Sequence, residues 1–293
     1  MKSIDWLRLV FLSLLWGGSY IWIELALVST SPVSIVFIRI SVAAICLIIF
    51  CVITKIKLNL NKDLIIIFFI MGLLNNVIPF NLIAWGQTQT TASVSSILNA
   101  TTPLFTVIVA NYWPNGEKAT IARISGVLLG IIGVTVLIGF NMSDMSNSVL
   151  GQSAILVAAI SYAFSALVGK KLRSINPILA AAGMLTASSI FFLPIVLMIE
   201  NPFLIEINQQ TIIPLLGLSI LSTAIAYIIF YKLIASIGSN VMLVTLLMPI
   251  SAILMAIIFL NEKLQYQHIF GLILVLIGLL LVDGRILKIF KSS

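Results

Sequence analysis

An all-α integral membrane fold, with ten transmembrane helices arranged as two antiparallel five-helix repeats, is what three observations predict for this 293-residue chain. The first is composition. Hydrophobic residues make up 61% and charged residues 9%, with a mean hydropathy of +1.21, whereas soluble domains carry about 45–50% apolar and about 25% charged residues. The second is segmentation: a span needs about 20 apolar residues, and ten runs qualify, near 7–28, 33–53, 64–85, 91–113, 122–140, 151–169, 177–199, 211–231, 239–260 and 268–283. The third is an internal echo. Leu98-Asn99-Ala100-Thr101-Thr102-Pro103 precedes Gly116-Glu117-Lys118 and then Gly126, Gly133 and Gly139. Val244-Thr245-Leu246-Leu247-Met248-Pro249 precedes Asn261-Glu262-Lys263 and then Gly271, Gly278 and Gly284. The glycines match at an offset of 145 and the prolines at 146. Five spans per copy is an odd number, so the copies face opposite ways, the construction many secondary transporters use around a midplane site.

Short connections leave no room for a soluble domain, so the chain reads as one transmembrane domain, repeat 1 being 1–145 and repeat 2 being 146–293. Lys2 and Arg8 ahead of an apolar run resemble a signal peptide. The run is too long, lacks an Ala-x-Ala site and belongs to the repeat, so a retained first span is expected. With the N-terminus cytoplasmic, inside segments hold Lys2, Arg8, Lys55, Lys57, Lys62, Lys118, Arg123, Lys170, Lys171, Arg173, Lys232, Arg285, Lys288 and Lys291. Outside segments hold Lys263, with Asp144, Glu200, Glu206 and Glu262. That positive-inside bias places both termini in the cytoplasm, with a cell (inner) membrane location expected. The net charge of +7 is thus topological, and no nucleic-acid partner follows from it. Cys46 and Cys51 read as apolar filler. One histidine, His268, leaves no metal cluster to expect, and no cofactor motif stands out.

Polar residues in hydrocarbon face the bundle interior or a wet cavity. Span 1 carries Ser13, Trp16, Gly17, Tyr20 and Glu24 along one stripe; span 4 carries Ser95, Asn99, Thr102 and Thr106; span 8 carries Ser219, Thr223, Tyr227 and Tyr231. Span 3 adds Asn75, Asn76 and Pro79, and span 6 adds Ser161, Tyr162 and Ser165. These stripes are either helix–helix hydrogen bonds, worth about 0.6 kcal/mol each in membranes, or the wall of a polar cavity. Three prolines are candidate helix breaks. A helical proline removes the bond to the carbonyl four residues back, so Pro79 frees that of Asn75, Pro103 that of Asn99 and Pro249 that of Thr245. Neighbouring helices or a bound solute then have to satisfy them. Small residues mark close helix contacts at Gly17-Gly18-Ser19 and at Gly126, Gly130 and Gly133.

Glu24 and Arg39 are the ionisable residues placed well inside spans. At about 1.5 Å per residue both lie roughly 6–9 Å below the outer boundary, so an ion pair between them is expected. The functional alternatives are an outer gate, a proton-coupling carboxylate at Glu24, or direct contact with a solute.

The ordered set Leu15-Trp16-Gly17-Gly18-Ser19-Tyr20, Arg39, Ile78-Pro79-Phe80, Ala84-Trp85 and Leu98-Asn99-Ala100-Thr101-Thr102-Pro103-Leu104-Phe105 resembles the EamA-type family of the drug/metabolite transporter superfamily. Leu221-Ser222-Thr223-Ala224-Ile225-Ala226-Tyr227, Pro249 and Leu260-Asn261-Glu262 extend the likeness through the second half. The resemblance implies a ten-helix inverted repeat, a central cavity and carriage of small metabolites, often outward. Many relatives carry Lys or Arg where Glu24 stands. The segment Trp113-Pro114-Asn115-Gly116-Glu117 is one residue longer before its glutamate than the equivalent in the second half.

The expectation is therefore a secondary carrier for a small polar or amphipathic metabolite, amino-acid-like or related. Its site residues would be Trp16, Tyr20, Glu24, Arg39, Asn75, Asn99, Thr102, Tyr162 and Tyr227. Its partners would be that solute and the lipid bilayer. No Gly-x-x-x-x-Gly-Lys-Ser/Thr is present, so a gradient or downhill flow would drive it. An intramembrane enzyme would need a buried nucleophile with a base, or a metal. A channel is the other alternative, though a duplicated antiparallel design suits alternation.

Overall fold

The computed structural model describes residues 2–56, 60–114, 116–139, 147–204 and 208–284. Lys57, Asp144, Glu206, Arg285, Lys288 and Lys291 of the charge pattern lie outside them. Ten apolar helices long enough to span a bilayer are α1 Ser3–Leu27, α2 Pro32–Ile53, α3 Lys62–Gln87, α4 Ala92–Tyr112, α5 Ile121–Ile138, α6 Ser148–Leu172, α7 Pro177–Ile199, α8 Gln209–Ile237, α9 Asn240–Leu260 and α10 Tyr266–Asp283. Among the described residues there is no strand. Helix starts are fixed by side chains that accept the orphan N–H groups of the first turn. Ser31, Asn61, Thr91, Thr120, Asn176 and Asn208 do so for α2, α3, α4, α5, α7 and α8.

The halves interleave rather than lying side by side. α1 packs on α9 and α8, while α6 packs on α4 and α3; α2 meets α7 and α8, and α3 meets α7. Exchanging each helix for the one five places along maps these neighbours onto one another. Three equivalent pairs touch directly: α2–α7, α4–α9 and α5–α10. In α2–α7, Ser34 bonds Glu200 and Ser41 bonds Ser189, so the two helices run antiparallel. In α5–α10 the glycines make the seam. A Cβ on Gly126 would stand 2.6 Å from the Gly278 carbonyl oxygen, and one on Gly271 2.8 Å from that of Gly133. The offset of 145 maps 126 to 271 and 133 to 278, so one contact is the image of the other. Without a hydrophobic drive between helices in lipid, such backbone-close contacts supply the association energy. Gly126 and Gly130 thus serve an internal seam.

Antiparallel neighbours define two ends. The terminal end carries Lys2 and the α2–α3, α4–α5, α6–α7 and α8–α9 connections; there Ser236 donates to Asp5 at 2.8 Å. The distal end carries the other connections.

The prolines act differently from one another. α4 breaks at Ala100–Thr101, just before Pro103, but the Asn99 carbonyl is taken by the Thr102 hydroxyl at 2.8 Å. It needs neither a neighbouring helix nor a solute. Before Pro79 the ladder widens into a π-segment, Leu73–Val77, in which the Ile78 N–H reaches back to Leu73. Five residues back from Pro79 is Leu74, not Asn75, and the Leu74 carbonyl receives the Ser161 hydroxyl at 2.7 Å. The expected break is therefore a bulge, and the freed acceptor is shifted by one residue. Pro249 breaks nothing: Val244–Leu260 is continuous through it. α8 has its own π-segment, Gly217–Ile225, at the position equivalent to that in α3.

Candidate functional site: a central cavity open at one end

Between the halves lies a cavity of about 640 Å³, lined from every helix except α5 and α10. Its lining reaches the terminal end at Arg173 and Ile175 of the α6–α7 connection and at Met242 in the first turn of α9. Toward the distal end it stops at Ile23, Arg39, Ile83 and Asn99. Arg173 and Met242 are exposed, whereas Ile23 and Ile83 are buried, so the cavity has a mouth at the terminal end and a floor near the distal side.

Eight of the nine expected site residues line it: Trp16, Tyr20, Arg39, Asn75, Asn99, Thr102, Tyr162 and Tyr227. Pro103 lines it too, while Pro79 and Pro249 do not. Asn76, fully buried, turns to Ser188 of α7 at 3.1 Å. Two relays organise the polar wall. Asn99 Nδ2 donates to the Tyr20 hydroxyl at 2.8 Å. Ser165 Oγ donates to Asn75 Oδ1 at 2.9 Å, and Asn75 Nδ2 donates to the Tyr227 hydroxyl at 3.0 Å. The bulge in α3 sets Asn75 between α6 and α8, and the break in α4 sets Asn99 against α1. Apolar surface comes from Trp16 against Phe230, ring centroids 5.1 Å apart, and from Tyr227 stacked on Tyr231 at 6.0 Å.

Arg39 is 7% exposed. Its guanidinium carbon lies 3.6 Å over the centroid of the Phe80 ring, a cation–π contact. Its Nε donates to Thr223 Oγ1 at 3.0 Å, and that hydroxyl gives its own proton to the Leu218 carbonyl at 2.8 Å. The widened ladder of α8 leaves this carbonyl available.

The expected Glu24–Arg39 ion pair does not form. Ion pairs among the described residues are Arg8–Asp5 and Arg123–Glu117. Glu24 instead accepts from Gln87 Nε2 at 3.2 Å, and the same nitrogen reaches the Tyr20 carbonyl at 3.0 Å. Glu24 is outside the cavity lining. Equal depth misleads here because α1 and α2 follow each other in the chain but touch only sparsely. α1 turns Glu24 toward α3, while α2 turns Arg39 toward α8. Gln87 was missed because a glutamine near a helix end reads as solvated. The lining methionines Met71, Met184, Met242 and Met248 carry no signal that separates them from ordinary apolar filler.

The distal end is tied by two carboxylates. Glu200, at the end of α7, accepts from the Ser31 hydroxyl, the Ser34 N–H at 3.1 Å and the Ser34 hydroxyl at 2.7 Å. Glu262, just past α9, accepts from the Ala92 and Ser93 N–H groups at 2.9 and 3.2 Å. Each closes the N-terminus of a helix from the opposite half, where the helix dipole favours a negative charge.

The model of the EamA-like transporter family matches this chain twice, over residues 6–139 and 149–283. An uncharacterized transporter YvbV of Bacillus subtilis is 28% identical over 97% of this chain and 93% of its own length. A probable amino-acid metabolite efflux pump of Escherichia coli is 24% identical over 95% and 94%. A solved crystal structure superposes with a TM-score of 0.69 over 96% of this chain and 98% of that one, at 16% identity.

Proposed function

We propose that this chain, which belongs to the EamA-like transporter family, is a secondary carrier that exports a small polar or amphipathic metabolite, amino-acid-like or related, by alternating access. The observation that carries the reading is the cavity: both halves build it, and it opens at one end only. Repeats 1–145 and 146–293 are related by a pseudo-two-fold axis in the membrane plane, as the exchange of glycine contacts and the opposite courses of α2 and α7 support. With both termini in the cytoplasm of a cell membrane, the open mouth faces the cytoplasm, the loading side for efflux. Rocking one half on the other would close that mouth and open the floor.

Counterflow in proteoliposomes tests this. Internal unlabelled solute should accelerate uptake of the labelled one, with saturation. Asn99→Trp, which fills the floor beside Tyr20, should lower counterflow at least tenfold while the purified variant keeps a monodisperse, folded profile. Unsaturable flux insensitive to Asn99→Trp overturns the carrier reading and favours a channel.

A further inference from the structure

Among the described residues, Arg39 and Arg173 are the charged ones in the cavity lining, and no Asp or Glu is with them. Arg173 stands exposed at the mouth, whereas Arg39 is buried at the floor. Nε of Arg39 is used on Thr223 and one face on Phe80; its two terminal nitrogens have no acceptor among the described residues. A guanidinium remains charged under any ordinary condition, and burying a charge without a counter-ion is costly. A transport site offers the remedy: the missing partner arrives with the solute.

The polarity of the surrounding hydroxyls points the same way. Tyr20 accepts from Asn99 and Tyr227 accepts from Asn75, so each directs its own proton elsewhere than at its asparagine. Tyr20, Tyr162 and Tyr227 line the same cavity as Arg39 and are neutral hydroxyls at ordinary pH. The floor therefore sets the Tyr20 and Tyr227 hydroxyls beside one cation, with Asn99 Oδ1 as a buried acceptor that has no partner among the described residues, and apolar surface from Trp16, Phe230 and Tyr231 lies between it and the mouth.

We propose that Arg39 is the anchor for a carboxylate, so that the solute is an organic anion with an apolar body, its carboxylate at the floor and its body toward the mouth. Charge-assisted, bidentate contacts suit arginine and a carboxylate. This rests on the carrier reading for its purpose but not for its test.

Purified full-length protein is tested for binding by thermal stabilisation and direct titration. The probes are 3-phenylpropionate and 4-methylpentanoate, their neutral amides, and the matching amines. At least one carboxylate should bind ten or more times tighter than its amide, with the amine weakest. Arg39→Gln should bring the carboxylate down to the affinity of its amide, while Arg39→Lys keeps part of the difference. Equal affinity across the three head groups overturns the proposal, and that wild-type comparison stands even where Arg39→Gln fails to fold. Failure of every carboxylate to bind, or a carboxylate preference surviving Arg39→Gln, also overturns it. Counterflow of an amine or amide alone would sink the anion site and leave the carrier. Arginine-dependent carboxylate binding without counterflow would keep the site and sink the carrier.

Discussion

The two ends of the bundle use equivalent positions for opposite purposes. At the distal end Glu200 and Glu262 each tie the end of one helix to the N-terminus of a helix from the other half. At the same offset of 145, Lys55 corresponds to Glu200 and Glu117 to Glu262. Lys55 is a cation, which a helix N-terminus repels, and the start of α7 is capped from within by Asn176. Glu117 pairs with Arg123 at 3.0 Å on the surface instead of reaching α9. The terminal end thus lacks both ties, and it is the end at which the cavity opens. A duplicated chain can favour one opening by changing one residue, Lys55 against Glu200, and by giving the other glutamate a different partner, Arg123 for Glu117 against the start of α4 for Glu262, without altering the helices between them.

Removing the distal ties should produce the largest change. Ser31 and Thr91 still cap α2 and α4, so each substitution removes the carboxylate's bonds to a helix start rather than the cap itself, a loss of about 1–2 kcal/mol. Glu200→Ala and Glu262→Ala act on different helices, so together they should weaken distal closure by about 2–4 kcal/mol, a factor of about thirty or more in the equilibrium. Ile23, 2% exposed at the cavity floor, reports on it. With Ile23→Cys in a background lacking Cys46 and Cys51, labelling by a membrane-impermeant maleimide from the distal side should rise at least tenfold in the double variant. Unchanged labelling would mean that apolar packing alone holds that end shut.

Much of this was legible in the sequence, and the parts that were not share a cause. Hydropathy runs gave the ten helices, and the repeated Pro and Gly spacing gave the duplication. Stripe residues such as Asn75, Asn99 and Tyr227 reached the cavity because polar atoms in hydrocarbon must turn inward. Contacts between helices distant in the chain were beyond such reasoning: Arg39 with Phe80 and Thr223, Glu24 with Gln87, Glu200 with Ser31 and Ser34. Depth is read along one helix, but azimuth depends on which helices are neighbours. The Glu24–Arg39 expectation failed on that point, and a double-mutant cycle sharpens the contrast between floor and distal rim. Glu24→Gln and Arg39→Gln should add within about 0.5 kcal/mol in apparent stability, as non-contacting sites do. A coupling above about 1 kcal/mol would place the two charges together after all.

The smallest expected effect tests the comparison from its other side. Glu117 and Arg123 pair with side chains 68% and 36% exposed. Solvent screens such a pair, and ordering two long side chains offsets most of the Coulomb gain, so exposed ion pairs contribute about 0–1 kcal/mol. Glu117→Gln should therefore shift the thermal midpoint of the purified protein by no more than about 1 °C and leave counterflow at the wild-type rate. Glu262→Gln, at the equivalent position, loses a carboxylate that receives two backbone N–H groups at a helix start, and bonds to a charged acceptor are worth about 1.5–3 kcal/mol. Its midpoint should fall measurably further than that of Glu117→Gln. Equal losses from the two substitutions would mean that both ends are tied alike, and the asymmetry of the bundle would then have to come from the lengths of its connections.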